Sequence, residues 1–261
     1  MLEGDEKKRW FLWLFNSKLA CFFECHNTRS GDVSTEILKQ SLCLYLLTDV
    51  YSGYKKSTRE ANQIRIEKKE EPIKMAYCNA HARRNFENTP KSEQGKLCAD
   101  AQFMMDHYRK IYGIEASVKK LSGTDSLETR GQMKPVFEAM KAEANIKIHE
   151  YSSNSDMGKA YSYFLRNYEG LTIFLTNENI PIDNNRSERL LRSPVIGRKV
   201  WYGTHSKRGA MAAAVHFTII ETCKMNGVNP SLFYKDCIER IREKQEILTP
   251  SQYKALIPKS D

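Results

Sequence analysis

The first third of the chain alternates between short apolar runs and polar breaks. Apolar residues dominate 10–15 and 19–25, and the turn-forming pair Asn16-Ser17 separates them. Runs of this length between turn residues predict strands, so we expect a hairpin with one buried face. A helix that Asp32 or Ser34 can cap follows, and the apolar runs 43–47 and 73–78 predict two further buried strands.

The middle and the end of the chain have a helical pattern. From about residue 96 to residue 150, apolar residues recur mostly three and four positions apart, with a polar break at 122–125. This period is typical of amphipathic helices, and residues 161–175 continue it. After Pro194 we predict a strand over 195–202, a long helix over 208–225 and, beyond a stop at Gly227, a last helix that begins at Pro230.

The composition is that of a globular protein with an excess of positive charge. The 261 residues include 41 Lys+Arg and 32 Asp+Glu, and the formal net charge of +9 favours a polyanionic partner without deciding the function. With 41% hydrophobic residues the chain can bury a core, which excludes a disordered protein. No apolar run approaches the roughly 20 residues that span a bilayer, so we expect no membrane role.

The N-terminus and the cysteines predict a reducing compartment. Residues 1–6 show no basic region followed by an apolar segment, so we expect no secretory signal and a cytoplasmic protein. The seven cysteines are an odd number, spread thinly and mostly set in apolar runs. This usage predicts reduced, buried thiols and no disulfide.

The first candidate for chemistry is Asp49, which follows the predicted strand 43–47. A carboxylate at the carboxyl end of a buried strand is held by a rigid backbone at the rim where α/β folds bind ligands. The alternative is an Asp that only forms or caps a turn. Asp49 by itself does not decide between them.

The second candidate is the polar run 183–189. Glu188 in this run could hold a divalent metal while nearby cations contact phosphates, namely Arg189, Arg192, Arg198 and Lys199. The alternative is a capping box, with Asn185 as the N-cap and Glu188 three residues later, and with the cations as ordinary solvated charge.

Other motifs exclude several cofactors. The pair Cys78-x-x-His81 could be half of a zinc site, but no second pair follows at ligand spacing, so we predict a buried Cys and a hydrogen-bonded His. No Gly-rich nucleotide fingerprint occurs, which argues against ATP and NAD. Aromatic residues beside the polar clusters suit either base stacking or core packing: Tyr51, Tyr54, Trp201 and Tyr202.

Taken together, these segments resemble the transposase family of the insertion-sequence-66 type. The resemblance covers nearly the whole chain and is strongest over 180–232. Two earlier motifs contribute, Asp49-x-Tyr51-Ser52-Gly53-Tyr54 and Cys78-x-Ala80-His81-Ala82-Arg83-Arg84. The later ones are Ile182-Asp183-Asn184-Asn185, Glu188-Arg189, Leu191-Arg192, Gly197-Arg198-Lys199, Trp201, Glu221-Thr222, Asn226-Gly227 and Asn229-Pro230. Several independent motifs in the family's order argue against chance agreement.

The resemblance implies metal-dependent cleavage and strand transfer of DNA by an Asp, Asp, Glu triad. Asp49 matches its second acid and Glu188 its third, and hard carboxylate oxygens suit two Mg²⁺ or Mn²⁺ ions. The implied partners are transposon ends, target DNA and further copies of the chain assembled on DNA. We expect DNA phosphates to contact Arg189, Arg192, Arg198 and Lys199, and supporting roles for Asp183, Asn184, Asn185, His81 and Arg84.

The implied fold is α/β, with a ribonuclease-H-like mixed sheet, a helical insertion and C-terminal helices. We expect 1–95 to form the first part of the catalytic core and 96–167 the insertion. Residues 168–225 would complete the core with the third acid, and 226–261 would form a C-terminal helical element.

One departure from the family pattern concerns the first acid. The family places it in an Asp-Glu-Thr motif ahead of the segment that corresponds to 10–15, and Asp5-Glu6 lacks the following Thr. We therefore expect an N-terminally truncated transposase that carries two of three metal ligands. The alternatives are an inactive remnant that only binds DNA or an intact transposase, and a nuclease on the same fold.

Overall fold

The computed structural model of the protein describes residues 10–200, 203–204 and 206–256. The expectations for Asp5-Glu6, Trp201 and Tyr202 lie outside these residues. Contacts divide the chain into two compact units. We call 1–33 with 186–261 the terminal unit, and 34–185 the central unit.

The elements follow one another as four strands and thirteen helices within the described ranges, with one short 3₁₀ helix at Ile173–Thr176. The strands are β1 (Phe11–Asn16), β2 (Cys21–His26), β3 (Tyr45–Thr48) and β4 (Lys74–Tyr77). The helices are α1 (Asp32–Gln40), α2 (Ser52–Glu67), α3 (Asn79–Glu87), α4 (Ala99–Val118), α5 (Gly123–Gly131), α6 (Lys134–Lys147), α7 (Asp156–Arg166), α8 (Tyr168–Thr172), α9 (Asn185–Leu190), α10 (Arg192–Val200), α11 (Lys207–Met225), α12 (Pro230–Arg242) and α13 (Pro250–Leu256).

The predicted hairpin is confirmed in the terminal unit. Strands β1 and β2 pair antiparallel, with Leu14 opposite Phe23. Because side chains alternate between the two faces of a strand, Leu12, Leu14, Cys21 and Phe23 share one face of the hairpin. That face packs with helical residues in a small core whose members are Leu12, Leu14, Cys21, Phe23, Leu190, Leu191, Ala214, Phe217 and Met225.

Side chains of α11 and of Asn226, the residue that follows it, bind the backbone of residues 19–23 at every fourth position. The hydroxyl of Thr218 accepts the N–H of Phe23 at 2.9 Å, and the hydroxyl of Thr222 accepts the N–H of Cys21 at 3.2 Å. Thr222 also donates to the carbonyl of Cys21, and Asn226 Nδ2 donates to the carbonyl of Leu19 at 2.7 Å. We call this set the α11 ladder; residues four apart share one helix face, so one face serves the whole strand.

The prediction of a strand over 195–202 is wrong for the described part of that segment. Residues 192–200 form α10, and the N–H of Val195 donates to the carbonyl of Leu191 as in a continuing helix. Pro194 lies in the first turn of α10, where N–H groups have no intrahelical acceptor, so its missing donor costs nothing. Val195 and Ile196 are β-branched, but their side chains are exposed. They therefore gain no packing against a neighbouring strand that would favour a strand over a helix here.

The central unit contains a parallel strand pair joined by a helix. Strands β3 and β4 pair in parallel register, with Leu46 beside Met75 and Thr48 beside Tyr77, and α2 connects them. Parallel neighbours require such a crossover, because the chain must return to the same end of the sheet. Both strands lie within two residues of the predicted runs.

Helices form most of the central unit, as the apolar periodicity over 96–150 predicts. Helices α3, α4, α6 and α7 share one core, which also contains Ala76 of β4. Its largest fully buried side chains include Phe86, Met104, Tyr108, Ile111, Met133, Phe137, Met140, Tyr161, Phe164, Leu171 and Phe174. The helical block therefore belongs to the same compact unit as the parallel strands.

The buried side chain of Arg130 binds the segment 174–180 beside this core. Arg130 is 3% exposed, and its guanidinium forms a 2.6 Å ion pair with Glu115. One terminal nitrogen of the same guanidinium donates to the carbonyl oxygens of Phe174, Asn177, Glu178 and Ile180 at 3.0 to 3.4 Å. These hydrogen bonds supply donors to carbonyl groups of segment 174–180 that no neighbouring strand or helix serves.

The observed class is mixed α/β with helices in the majority, as predicted. The described strands form two sheets of two strands each, one antiparallel and one parallel. A single ribonuclease-H-like sheet stays a prediction. All seven cysteines are free thiols, and Cys21, Cys78 and Cys223 are buried.

Replacing Arg130 by Met tests the closure of this core. The change leaves the carboxylate of Glu115 without its partner and removes the donor shared by the carbonyl groups of segment 174–180, so we expect the central unit to lose about 3–5 kcal/mol of unfolding free energy. Urea unfolding followed by helical circular dichroism measures this loss. Arg109→Met is the control, because the Arg109 side chain is 74% exposed in its ion pair with Asp106 and should cost less than about 1 kcal/mol. Equal losses in the two variants would contradict the assigned role.

Candidate active site

The carboxyl ends of β3 and β4 bring polar residues to one edge of the parallel pair. The carbonyl of Thr48 accepts the N–H of Cys78 at 3.0 Å, so the ladder continues to the last residue of β3. Asp49 follows directly, at the position that the sequence predicts for a ligand at the sheet rim. Its Oδ1 accepts the N–H of Tyr51 at 3.4 Å, a turn contact of the kind expected from the alternative interpretation.

Asn79 fastens the segment 182–185 beside these strand ends. Its side chain is fully buried, and Nδ2 donates to the carbonyls of Leu171 at 2.9 Å and Ile182 at 3.2 Å. The backbone N–H of Asn79 also donates to the carbonyl of Ile182, at 3.1 Å. Three segments that are distant in sequence therefore meet at the end of β4. The sequence analysis missed Asn79, because its partners are remote backbone carbonyls that no local pattern reveals.

The carboxylate of Asp183 accepts hydrogen bonds that hold this segment in place. Its Oδ2 accepts the hydroxyl of Tyr112 at 3.0 Å and Nδ2 of Asn185 at 2.8 Å, and its Oδ1 accepts the N–H of Asn185 at 3.1 Å. Burial and the nearby charge of Asp183 raise the pKa of Tyr112 well above its ordinary value, so the phenol stays a donor. This arrangement agrees with a supporting role for Asp183.

The alternative interpretation, a capping box, concerns the start of α9. The helix spans Asn185–Leu190, with Glu188 in its first turn. An acidic side chain in the first turn suits the helix dipole, and the capping box stays a prediction.

Asn184 and Cys78 form a contact at the centre of this edge. The N–H of Asn184 donates to Sγ of Cys78 at 3.4 Å, and Cys78 has no solvent exposure. Burial raises the pKa of the Cys78 thiol, although backbone N–H groups of Asn184, His81 and Ala80 act in the opposite direction. Oδ1 of Asn184 is buried and has no hydrogen-bond partner among the described residues.

Tyr163 reaches the same place from α7. Its hydroxyl is buried and accepts or donates no hydrogen bond within the described ranges. Burial, followed by the charges of Cys78, Asp49 and Tyr77, raises the pKa of Tyr163 above its ordinary value. The hydroxyl is therefore a neutral oxygen atom at ordinary pH. A tyrosine in an amphipathic helix carries no local signal of this position, and the sequence analysis missed it.

These residues fit part of a Mg²⁺ or Mn²⁺ site. The half-buried carboxylate of Asp49 has no ion pair among the described residues and keeps unused acceptor positions, and hard cations prefer such oxygen ligands. Asn184 Oδ1 and the Tyr163 hydroxyl are further oxygen atoms without protein partners. In the part of the chain that is described, no group of three or more His, Cys, Asp or Glu side chains is arranged around one point.

Glu188 and the predicted DNA-contacting cations belong to the terminal unit, whereas Asp49 belongs to the central unit. Glu188 is half-buried on α9, a helix that Ser187 anchors through a 2.7 Å hydrogen bond to Asn16 of β1. The cations are exposed and form no hydrogen bond or ion pair with any described residue: Arg189 on α9, and Arg192, Arg198 and Lys199 on α10.

His81 and Arg84 lie on α3, immediately after the end of β4. His81 is half-buried at the third position of α3, and Arg84 is exposed in the last turn of this helix. The structure thus places only His81 near the start of the helix that leaves the strand edge. Their supporting roles stay predictions.

Comparison with known proteins shows similarity to transposases. Residues 1–212 match the sequence model described as Transposase IS66 family, and residues 218–258 match the IS66 C-terminal element. No solved structure matches the chain significantly. None of the helices within the described ranges has the length and apolar character needed to cross a bilayer.

The similar curated proteins include two from Sinorhizobium fredii (strain NBRC 101917 / NGR234). Uncharacterized protein y4hP is 31% identical over 208 residues, which cover 76% of this chain and 37% of the relative. Uncharacterized protein y4jD is 29% identical over 197 residues, which cover 75% of this chain and 37% of the relative. The matched part of this chain thus corresponds to little more than a third of each relative.

Thiol labelling tests the packing around Cys78. At pH 8 we expect Ellman's reagent to modify exposed Cys98 first and buried Cys78 only after unfolding. Burial raises the pKa of Cys223 to about 11. Only about one part in a thousand of this thiol is therefore ionised at pH 8, and its labelling should become faster as the pH approaches 11. Cys98→Ser should remove the fast phase and Cys78→Ser should leave it. A Cys78 that reacts as fast as Cys98 would contradict this packing.

Proposed function

Because the chain belongs to the Transposase IS66 family, we propose that it provides part of a metal-dependent active site for DNA cleavage and strand transfer in transposition. The observation that supports this most is the place of Asp49 at the carboxyl ends of two parallel strands, with the segment 182–185 fastened beside it by Asn79. Substrates of the reaction are the transposon ends and the target DNA.

In this proposal Asp49 and Glu188 hold Mg²⁺ or Mn²⁺. When bound, two such ions activate a water or a 3′-hydroxyl group for attack and stabilise the leaving oxygen. The protein residues orient the ligands: the β3 backbone fixes Asp49, and Ser187 anchors the helix that carries Glu188. Asp183 keeps the turn 183–185 rigid through its three accepted hydrogen bonds.

DNA phosphates bind, in the same proposal, to Arg189, Arg192, Arg198 and Lys199. Their exposure and the absence of protein partners among described residues leave these cations available to a polyanion. The net charge of +9 supports the same partner, and such binding weakens steeply as salt rises. We also propose that working assemblies contain several copies on DNA and that the protein acts in the cytoplasm.

A ribonuclease-H-like core is the fold we propose for this activity. A mixed sheet requires both antiparallel and parallel strand neighbours, and both kinds of pair occur among the described strands. The helical elements over 99–166 follow the second of the two parallel strands, which agrees with an insertion between the two acids.

A second candidate function is a remnant without catalysis that only binds DNA or an intact transposase. The observation that favours it is the absence, within the described ranges, of any cluster of three ligand side chains. The exposed cations of α9 and α10 would serve this function equally well.

Glu188→Gln and Asp49→Asn test the catalytic proposal. Each change removes one anionic ligand and keeps the side-chain size, so we expect at least tenfold weaker Mn²⁺ binding by electron paramagnetic resonance. On a plasmid that carries the DNA flanking the coding sequence, cleavage in Mg²⁺ should disappear while DNA affinity stays within about twofold.

Glu93→Gln is the matched control, because Glu93 is exposed and has no hydrogen bond or ion pair with other described residues. It should retain Mn²⁺ affinity and cleavage. Cleavage that survives in Glu188→Gln would overturn the role of this residue. If wild type and Glu188→Gln bind DNA alike and neither cleaves it, the remnant is the correct function.

A further inference from the structure

We propose that a cleft between α3 and α7 in the central unit binds one unpaired DNA strand. The cleft has a volume of about 340 Å³. Its polar and aromatic lining consists of Asn85, Asn88, Asp156, Lys159, Tyr163 and Arg166. We call it the α3/α7 cleft; the inference rests on the proposed function for its choice of DNA as the anion.

Two cations supply the attraction for phosphate. Lys159 and Arg166 are seven residues apart on α7, so they share one face and lie about 10.5 Å apart along the helix axis. Both are exposed, and Lys159 forms no ion pair or hydrogen bond through its side chain with the described residues. Arg166 donates its Nε–H to the carbonyl of Ser162 at 3.0 Å, which leaves its terminal amino groups for an external acceptor.

Tyr163 places an aromatic ring in the cleft wall. It lies between the two cations on the same face of α7. Its hydroxyl is buried and has no hydrogen-bond partner among the described residues. An aromatic ring beside cations is the usual arrangement for unpaired nucleotides.

The size and the neutral groups of the cleft favour a single strand. A volume near the lower end of small-molecule sites admits a nucleotide unit but not a paired duplex. The side-chain amides of Asn85 and Asn88 have no hydrogen-bond partner in the described part of the chain and can serve base edges. Asp156 opposes phosphate binding, so its charge should weaken the interaction and not support it.

The test measures binding of a fluorescein-labelled twelve-nucleotide thymidine strand by anisotropy, in EDTA and about 50 mM salt. Lys159→Gln and Arg166→Gln should each weaken binding about fivefold and lower the salt slope by about 0.7, the value for one phosphate contact in a single strand. Asp156→Asn should strengthen binding about twofold, because a repulsive charge is removed. Lys110→Gln is the matched control: this exposed lysine of α4 carries the same charge outside the cleft.

Three results would overturn the proposal. If Lys159→Gln and Arg166→Gln bind the oligonucleotide with the same affinity as Lys110→Gln, the cleft does not contact the strand. A duplex of the same length that binds as tightly, with the same response to these variants, would exclude an unpaired strand as the ligand. Displacement of the oligonucleotide by inorganic phosphate below about 10 mM would assign the cleft to free phosphate instead.

The measurement is independent of the metal. EDTA removes Mg²⁺ and Mn²⁺, and Glu188→Gln should bind the strand like wild type. Loss of catalysis in the Glu188 and Asp49 variants together with normal cleft binding supports both proposals. Normal catalysis with an unresponsive cleft would contradict the cleft alone.

Discussion

The buried side-chain amide of Asn79 is the interaction on which the candidate active site depends. A polar group without solvent exposure must find partners inside the protein, and Asn79 finds them in the carbonyls of Leu171 and Ile182. Both carbonyls belong to segments far along the chain, so this side chain fixes where the turn 183–185 meets the parallel strands. Asp49, Cys78 and Asn184 obtain their mutual positions from that connection.

Arg130 holds the same segment, between Leu171 and Ile182, through other carbonyl groups. The segment 177–182 has no regular structure, and the carbonyl groups of Phe174 and Ile180 depend on Arg130 for a buried donor. One terminal nitrogen of this guanidinium, which Glu115 neutralises, is shared between these carbonyls and those of Asn177 and Glu178. Two polar side chains therefore hold the segment against an apolar core that has no directional preference of its own.

Much of the fold follows from local pattern, but the contacts that position the site do not. Short apolar runs between turn residues predict the hairpin and the strands β3 and β4, and a period near 3.6 residues predicts the helices of the central block. The strand predicted over 195–202 is wrong in its described part, because Val195 continues a helix from the carbonyl of Leu191. Asn79, Tyr163 and Arg130 act through remote atoms, and no spacing in the sequence identifies those partners. The roles of Asp49 and Glu188 came from the family resemblance and not from periodicity.

The α11 ladder also determines how the terminal hairpin can grow. Side chains of α11 and of Asn226 bind the carbonyl groups of Leu19 and Cys21 and the N–H groups of Cys21 and Phe23, which would otherwise lie at the unpaired margin of β2. A strand that approached this part of β2 would find these four groups already bonded. The helix therefore protects the start of β2 from pairing with other chains.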